Sequence, residues 1–357
     1  MPDYRLDFSE DDYVARADKD EPEKKGKGKL LAAAALVAAL AVLAAIHFSL
    51  PPLPLQFTHG QHTPFIPNSH APLKISGAPI RTVPTSTVLA RVDALEKPFL
   101  STEAYITYIY PSSGDYVPAV KTRVSAIYSA DPSIAKKYDI MTLPPPWLKA
   151  PEVSAVTEVV YTPQGLVYFG PLTAPAVLKN APADTLLRTT GSIIVLYDRQ
   201  SEADAYALQC YYLLTGRLVA IYPVDSQIGK TILQALSLPE GSYLLVVKGN
   251  TVEAYGNLAK YAAEAEKYLG RTFTSDTAIL YVATGCTPCD QAEQALQGFP
   301  VKVVDVTKAP AHVGFVPTLQ LKLWFGKKYI NETLQGRSEI VSSGPTLLEA
   351  FGFWRTG

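Results

Sequence analysis

Cysteine is scarce in this chain: three in 357 residues, which excludes a disulfide-stapled scaffold. Charge of one sign is lacking too, since 32 basic and 33 acidic residues leave a formal net charge of -1. No basic stripe stands ready for phosphates, so nucleic-acid binding is excluded as the reading. Methionine, tryptophan and histidine are also sparse, at two, three and five. What is abundant is apolar material: 48% hydrophobic residues with 18% charged ones suit folded domains that bury real cores.

The first fifty residues divide sharply. Residues 1–29 open on an acidic run, including Asp3, Asp7, Glu10, Asp11 and Asp12, with too few apolar residues for a core. They read as a disordered cytoplasmic tail. Lys24, Lys25, Lys27 and Lys29 close it, and the uncharged stretch Leu30–Leu50 follows, almost wholly Leu, Ala, Val and Ile. At about 1.5 Å per residue it spans the roughly 30 Å of a bilayer core. The flanking lysines predict a signal anchor, a single-pass helix over 30–50 with the N-terminus cytoplasmic and the remainder extracytoplasmic in the cell membrane. A cleavable leader is the rival reading, but its charged region would have to run to residue 29.

Residues 51–85 are punctuated by Pro51, Pro52, Pro54, Pro64, Pro67, Pro72 and Pro79 and read as a semi-rigid stalk. His59, His62 and His70 within it form a spaced group that could hold copper or zinc, or could be solvated linker residues. From 86 to 188, short runs rich in Val, Tyr, Ile and Thr, such as Ala104–Tyr110 and Val120–Tyr128, alternate with Pro, Gly, Ser and Asp. They predict a β-rich domain. Pro163-Gln164-Gly165 predicts a hairpin turn between Thr157–Tyr161 and Leu166–Phe169.

The pattern becomes α/β after Gly191. A strand at Ser192–Tyr197 precedes a helix opened by Ser201 with a side-chain cap, which carries Cys210 on its apolar face as a core residue. Strand Leu218–Tyr222, helix Ser226–Leu236, strands Tyr243–Val247 and Thr251–Tyr255, and helix Leu258–Leu269 complete a unit over 189–272. The order begins again over 273–357. Strand Ala278–Ala283 leads into Cys286-Thr287-Pro288-Cys289, helix Asp290–Gln297, strand Val301–Val306, Val316-Pro317-Thr318, strands Leu319–Phe325 and Lys328–Leu334, and a last helix at Pro345–Phe353.

The second of these units resembles the thioredoxin and glutaredoxin family: a C-x-x-C where the first strand becomes a helix, Val-Pro-Thr before the third strand, and the hairpin around Gly326. The tandem is similar to archaeal protein disulfide oxidoreductases. The fold class implied is α/β, with two tandem thioredoxin-like units preceded by a β-rich domain and a transmembrane helix. The unit over 189–272 lacks the dithiol, having Gln200 and Ala203 where the cysteines would fall, though Leu238-Pro239 keeps the proline.

Thiol exchange needs a thiolate, and a helix start favours one through its unpaired amides and dipole. Cys286 is therefore the expected nucleophile and Cys289, one turn on, the resolving thiol. Asp290 opposes the thiolate by like charge, and no histidine lies between the cysteines, which points towards a reductant or isomerase. By resemblance Pro317 is cis and presents the backbone of Val316 to substrate, with Thr287 and Pro288 completing the binding residues. No cofactor is required. Expected partners are protein thiols or disulfides outside the cytoplasm and a membrane electron donor. Two alternatives stand beside this: a copper-handling protein that uses the dithiol with His312 or the stalk histidines, and a redox-silent surface or assembly protein.

Overall fold

The computed structural model describes residues 73, 75–308 and 313–356. The acidic tail, the 30–50 helix, the stalk up to residue 72, and His59, His62, His70 and His312 lie outside the described residues. No helix among the described residues is long and apolar enough to cross a membrane.

In chain order the described elements are β1 (Arg81–Pro84), α1 (Thr85–Glu96), β2 (Tyr105–Ile109), α2 (Val117–Ala130), α3 (Ile134–Lys137), β3 (Asp139–Met141), β4 (Thr157–Thr162), β5 (Gly165–Pro171) and α4 (Ala183–Arg188). A second group comprises β6 (Ile193–Tyr197), α5 (Glu202–Leu214), β7 (Val219–Pro223), α6 (Gln227–Leu236), β8 (Tyr243–Lys248), β9 (Thr251–Tyr255) and α7 (Leu258–Leu269). The last comprises β10 (Thr277–Val282), α8 (Thr287–Ala295), β11 (Lys302–Asp305), β12 (Thr318–Trp324), β13 (Tyr329–Gln335) and α9 (Arg337–Ala350).

Three sheets result, ordered β3-β2-β4-β5, β1-β9-β8-β6-β7 and β11-β10-β12-β13. With β1 set apart as an added edge strand, the first strand of each sheet (β2, β6, β10) runs parallel to the one reached through a helix and antiparallel to the third, and the fourth pairs antiparallel with the third. That is the strand order implied by the thioredoxin resemblance, and it occurs three times rather than twice. The segment read as β-rich is therefore a mixed α/β unit as well.

The difference turns on α2. Val120–Tyr128, read as a strand from its Val, Ile and Tyr content, is helical, because Val120, Val124 and Ile127 recur at helical spacing and are all buried, and Pro118 suits a first turn. Burial of one face outweighs the β preference of the residues that form it. The stalk also ends sooner than read: Arg81–Pro84 pair antiparallel with β9, Val83 buried beneath them. The final helix starts at Arg337, not Pro345, which lies inside it. Ile340, Gly344, Leu347 and Leu348 share its buried face, and this packing offsets the hydrogen bond a proline cannot donate. Ser201 stands at the N-cap of α5 but its side chain makes no capping bond; Asp198 instead caps the 3-10 turn just before it, its carboxylate accepting from the Ser201 amide at 2.9 Å. The hairpin between β4 and β5 forms as read, with Gly165 at φ +136°.

β6, with both faces covered, is buried at every residue, whereas in β10 only Ala278, Leu280 and Val282 are buried. Each fully buried Leu or Ile contributes roughly 1.5–3 kcal/mol. Cys210 is 1% exposed, and its sulfur accepts from the Arg271 guanidinium at 2.9 Å, as a core residue. The third unit is seated closely on the others. A Cβ added at Gly326 would stand 2.2 Å from the Lys179 side chain, so glycine is required there by approach as well as by its φ of +74°.

Glu96 ends α1, the unfavourable helix end for an acid, and is 8% exposed. Burial, with Asp184 and Asp93 nearby, pushes its carboxyl up to about 7. A folded pKa raised above the unfolded one means the stabilisation is present below about pH 4.5 and is lost as pH rises through about 7. Glu96→Gln is expected to stabilise the protein at pH 8 by on the order of 1–2 kcal/mol and to have little effect at pH 5. Thermal melts at both pH values check this; an equal effect at the two would refute it.

Candidate functional site

β10 ends at Val282 and the chain turns through Gly285, whose φ of +75° favours glycine although no atom lies within 4 Å of where a Cβ would be. Cys286 follows as the N-cap of α8. Its carbonyl accepts from the Cys289 amide at 2.8 Å and the Asp290 amide at 3.2 Å. Its sulfur also accepts from the Cys289 amide, at 3.2 Å. The helix begins at Thr287, three residues before the expected Asp290, so the whole C-x-x-C lies in the cap and first turn. Proline at the start of a helix costs no intrahelical bond, so Pro288 fits this position.

Cys286 and Cys289 are disulfide-bonded, with Cα atoms 5.2 Å apart. The two sulfurs meet different surroundings. Cys286 is half-buried, while Cys289 is 1% exposed in an apolar cluster with Leu280, Ala292, Leu296, Leu319 and Ile340. An incoming thiolate therefore reaches Cys286 first. The Cys289 amide of the first turn is aimed at the Cys286 sulfur, at the end of the helix that favours an anion, whereas the Cys289 sulfur lies among apolar side chains.

Val316–Pro317 is the cis peptide bond of the described residues, and the counterpart Leu238–Pro239 is trans. Pro317 is buried and leads into β12, and Val316, half-buried, packs on the same cluster as both cysteines. Fold and packing thus bring Cys286, Cys289 and Val316 together, with Thr287 and Pro288 exposed on the rim.

The helix starts in the other units carry no dithiol. Counted from the cap, Tyr116 and Ala119 stand at the cysteine positions in the first unit. In the second they are Ser201 and Asp204, one residue beyond the expected Gln200 and Ala203, because a short 3-10 turn precedes α5. No group of three His, Cys, Asp or Glu among the described residues could hold a metal ion.

Two features beside the dithiol escape a reading by motif. Phe315, just ahead of Val316, is 55% exposed. Asp305 accepts hydrogen bonds from the hydroxyls of Thr284 and Thr307, both at 2.6 Å. Asp-x-Thr at a strand end signals a local turn of this kind, but the link to Thr284 depends on strand pairing.

No protein-family model and no curated protein matches this chain. Among solved structures, ERdj5 in crystal form II is similar over 71% of this chain and 43% of its own, at 11% identity and a TM-score of 0.25. Full-length ERdj5 is similar over 69% and 45%, at 10% identity and a TM-score of 0.18. The zinc-bound form of human ERp44 is similar over 71% and 86%, at 7% identity and a TM-score of 0.18. The chain spans less than half the length of the ERdj5 structures.

Proposed function

We propose that this protein is a membrane-anchored thiol-disulfide oxidoreductase acting on protein thiols or disulfides outside the cytoplasm. The observation that carries the reading is the placement of Cys286 and Cys289 at the start of α8, one sulfur reachable and the other sealed, beside Val316–Pro317. Lys24–Lys29 followed by the apolar run 30–50 supports the anchor and its orientation.

In the oxidising direction a substrate thiolate attacks the Cys286 sulfur. A mixed disulfide forms, the Cys286–Cys289 bond breaks, and the electron pair leaves on Cys289, which takes a proton from solvent. A second substrate thiolate then attacks its own mixed-disulfide sulfur and releases Cys286 as a thiolate, so substrate is oxidised and the dithiol reduced. In the reducing direction the same steps run backwards, with Cys289 as the resolving thiol. Val316 offers backbone for an extended substrate segment, with Thr287 and Pro288 beside it. The absence of a histidine between the cysteines favours the reducing or isomerising direction, with a membrane donor returning the electrons.

Equilibration of the full chain in detergent against dithiothreitol and glutathione buffers, read by alkylation and mass spectrometry, tests the proposal. The pair is expected to titrate as a two-electron couple, near about −270 mV for a reductant or towards about −120 mV for an oxidant. A pair that remains oxidised throughout would make the disulfide structural and end the proposal.

A further inference from the structure

Beside the dithiol lies a hydrogen-bonded acid that the exchange steps do not use. Asp305 ends β11, in register with Val282 at the end of the parallel strand β10. One carboxylate oxygen accepts from the Thr284 hydroxyl at 2.6 Å, and the other accepts from the Thr307 hydroxyl at 2.6 Å and the Thr307 amide at 2.9 Å. The Lys308 ammonium stands 3.4 Å from the carboxylate, and the two threonine hydroxyls are 3.2 Å apart. The Thr284 hydroxyl first, then Thr307, hold the Asp305 carboxyl well below the usual carboxylate range, so it is ionised wherever a thiolate can form.

Between Thr284 and Cys286 stands only Gly285, exposed and without a side chain to pack. The Cys286 amide bonds back to the Ala283 carbonyl at a long 3.3 Å. The approach to the nucleophile is thus poorly held by packing, and Asp305 supplies a strong anchor from the neighbouring strand.

We infer that Asp305 is a positioning residue: by anchoring Thr284 it keeps the Cys286 sulfur over the first-turn amides of α8, where the Cys289 amide donates to it. This deepens the oxidoreductase reading and rests on it.

The test uses the full chain with Cys289→Ser, so that Cys286 alone attacks glutathione disulfide, breaking its S–S bond and releasing one glutathione thiolate. Asp305→Ala is expected to slow this attack about tenfold at pH 7 and to move the midpoint of the pH–rate profile up by about one pH unit, since a displaced thiolate loses its amide donor. Thr284→Val should reproduce both effects. Asp305→Asn, which keeps the hydrogen-bonding shape without the charge, should remain within about threefold of the parent rate. The melting temperature should barely move, because the network is at the surface. If Asp305→Ala and Asp305→Asn both accelerate attack and lower the midpoint, Asp305 acts as a charge and the anchoring role is overturned. An unchanged rate in Asp305→Ala, or in Thr284→Val alone, overturns it equally. A parent that never reacts with glutathione disulfide instead sinks the oxidoreductase reading itself.

Discussion

Full-length protein carrying Cys286→Ser is expected to lose exchange with an unfolded, disulfide-bearing protein by at least about 1000-fold, to the uncatalysed background. Cys289→Ser should behave differently. It retains the nucleophile and the first-turn amides, so attack proceeds, but the sulfur that resolves the intermediate is gone and a covalent complex through Cys286 accumulates. The asymmetry follows from exposure: Cys289 is 1% exposed within an apolar cluster, where it serves an internal attack and not an external one. Non-reducing electrophoresis with mass mapping of the cross-link reads both variants. Equal trapping by the two single variants, or full activity in Cys286→Ser, would contradict the assignment of roles.

The largest stability effect is expected at Arg123. Its guanidinium and the Glu158 carboxylate are both fully buried, joined by two hydrogen bonds of 2.6 and 2.9 Å. The third nitrogen donates to the Thr173 carbonyl and, at 3.1 Å, to the Ala350 carbonyl at the end of α9. The guanidinium also lies over the Phe351 ring, 5.7 Å from its centroid. One side chain of the first unit thereby satisfies an unpaired carbonyl at the end of the dithiol unit's last helix. Arg123→Met leaves Glu158 buried without its cationic partner and should cost about 3–5 kcal/mol. Arg123→Lys cannot restore the fork and should recover little. Arg123→Met combined with Glu158→Leu removes both charges and should regain at least half of the loss. Calorimetric melting of the four proteins decides the matter; a double variant no better than Arg123→Met would show that packing, not the unpaired acid, is at issue.

Much of the site was readable from local signals. Cys286-Thr287-Pro288-Cys289 after an apolar strand and Val316-Pro317-Thr318 before another are short-range patterns, and both occupy the expected places. Gly270 past α7 and Gly165 at the hairpin are decided within a few residues, by dihedral preference alone. Local preference misled where it disagreed with burial. α2 is helical because one face of it is covered, and Pro345 sits inside α9 because that helix packs along its length. A sequence window shows neither cover.

By itself the sequence determined that a C-x-x-C stands where an apolar strand gives way to a helix, the extents of α6 and α7, and that Cys210 is core. Each follows from capping, periodicity or turn chemistry over a handful of residues. Only the tertiary structure decided that one sheet pattern is built three times, that β1 pairs with β9, and that Arg123 reaches Ala350 across 227 positions. It also decided that Cys286 is open while Cys289 is sealed, and that Asp305 holds Thr284. Desolvation and strand pairing depend on atoms brought together from distant parts of the chain, and that is the physical reason these features could not be read along it.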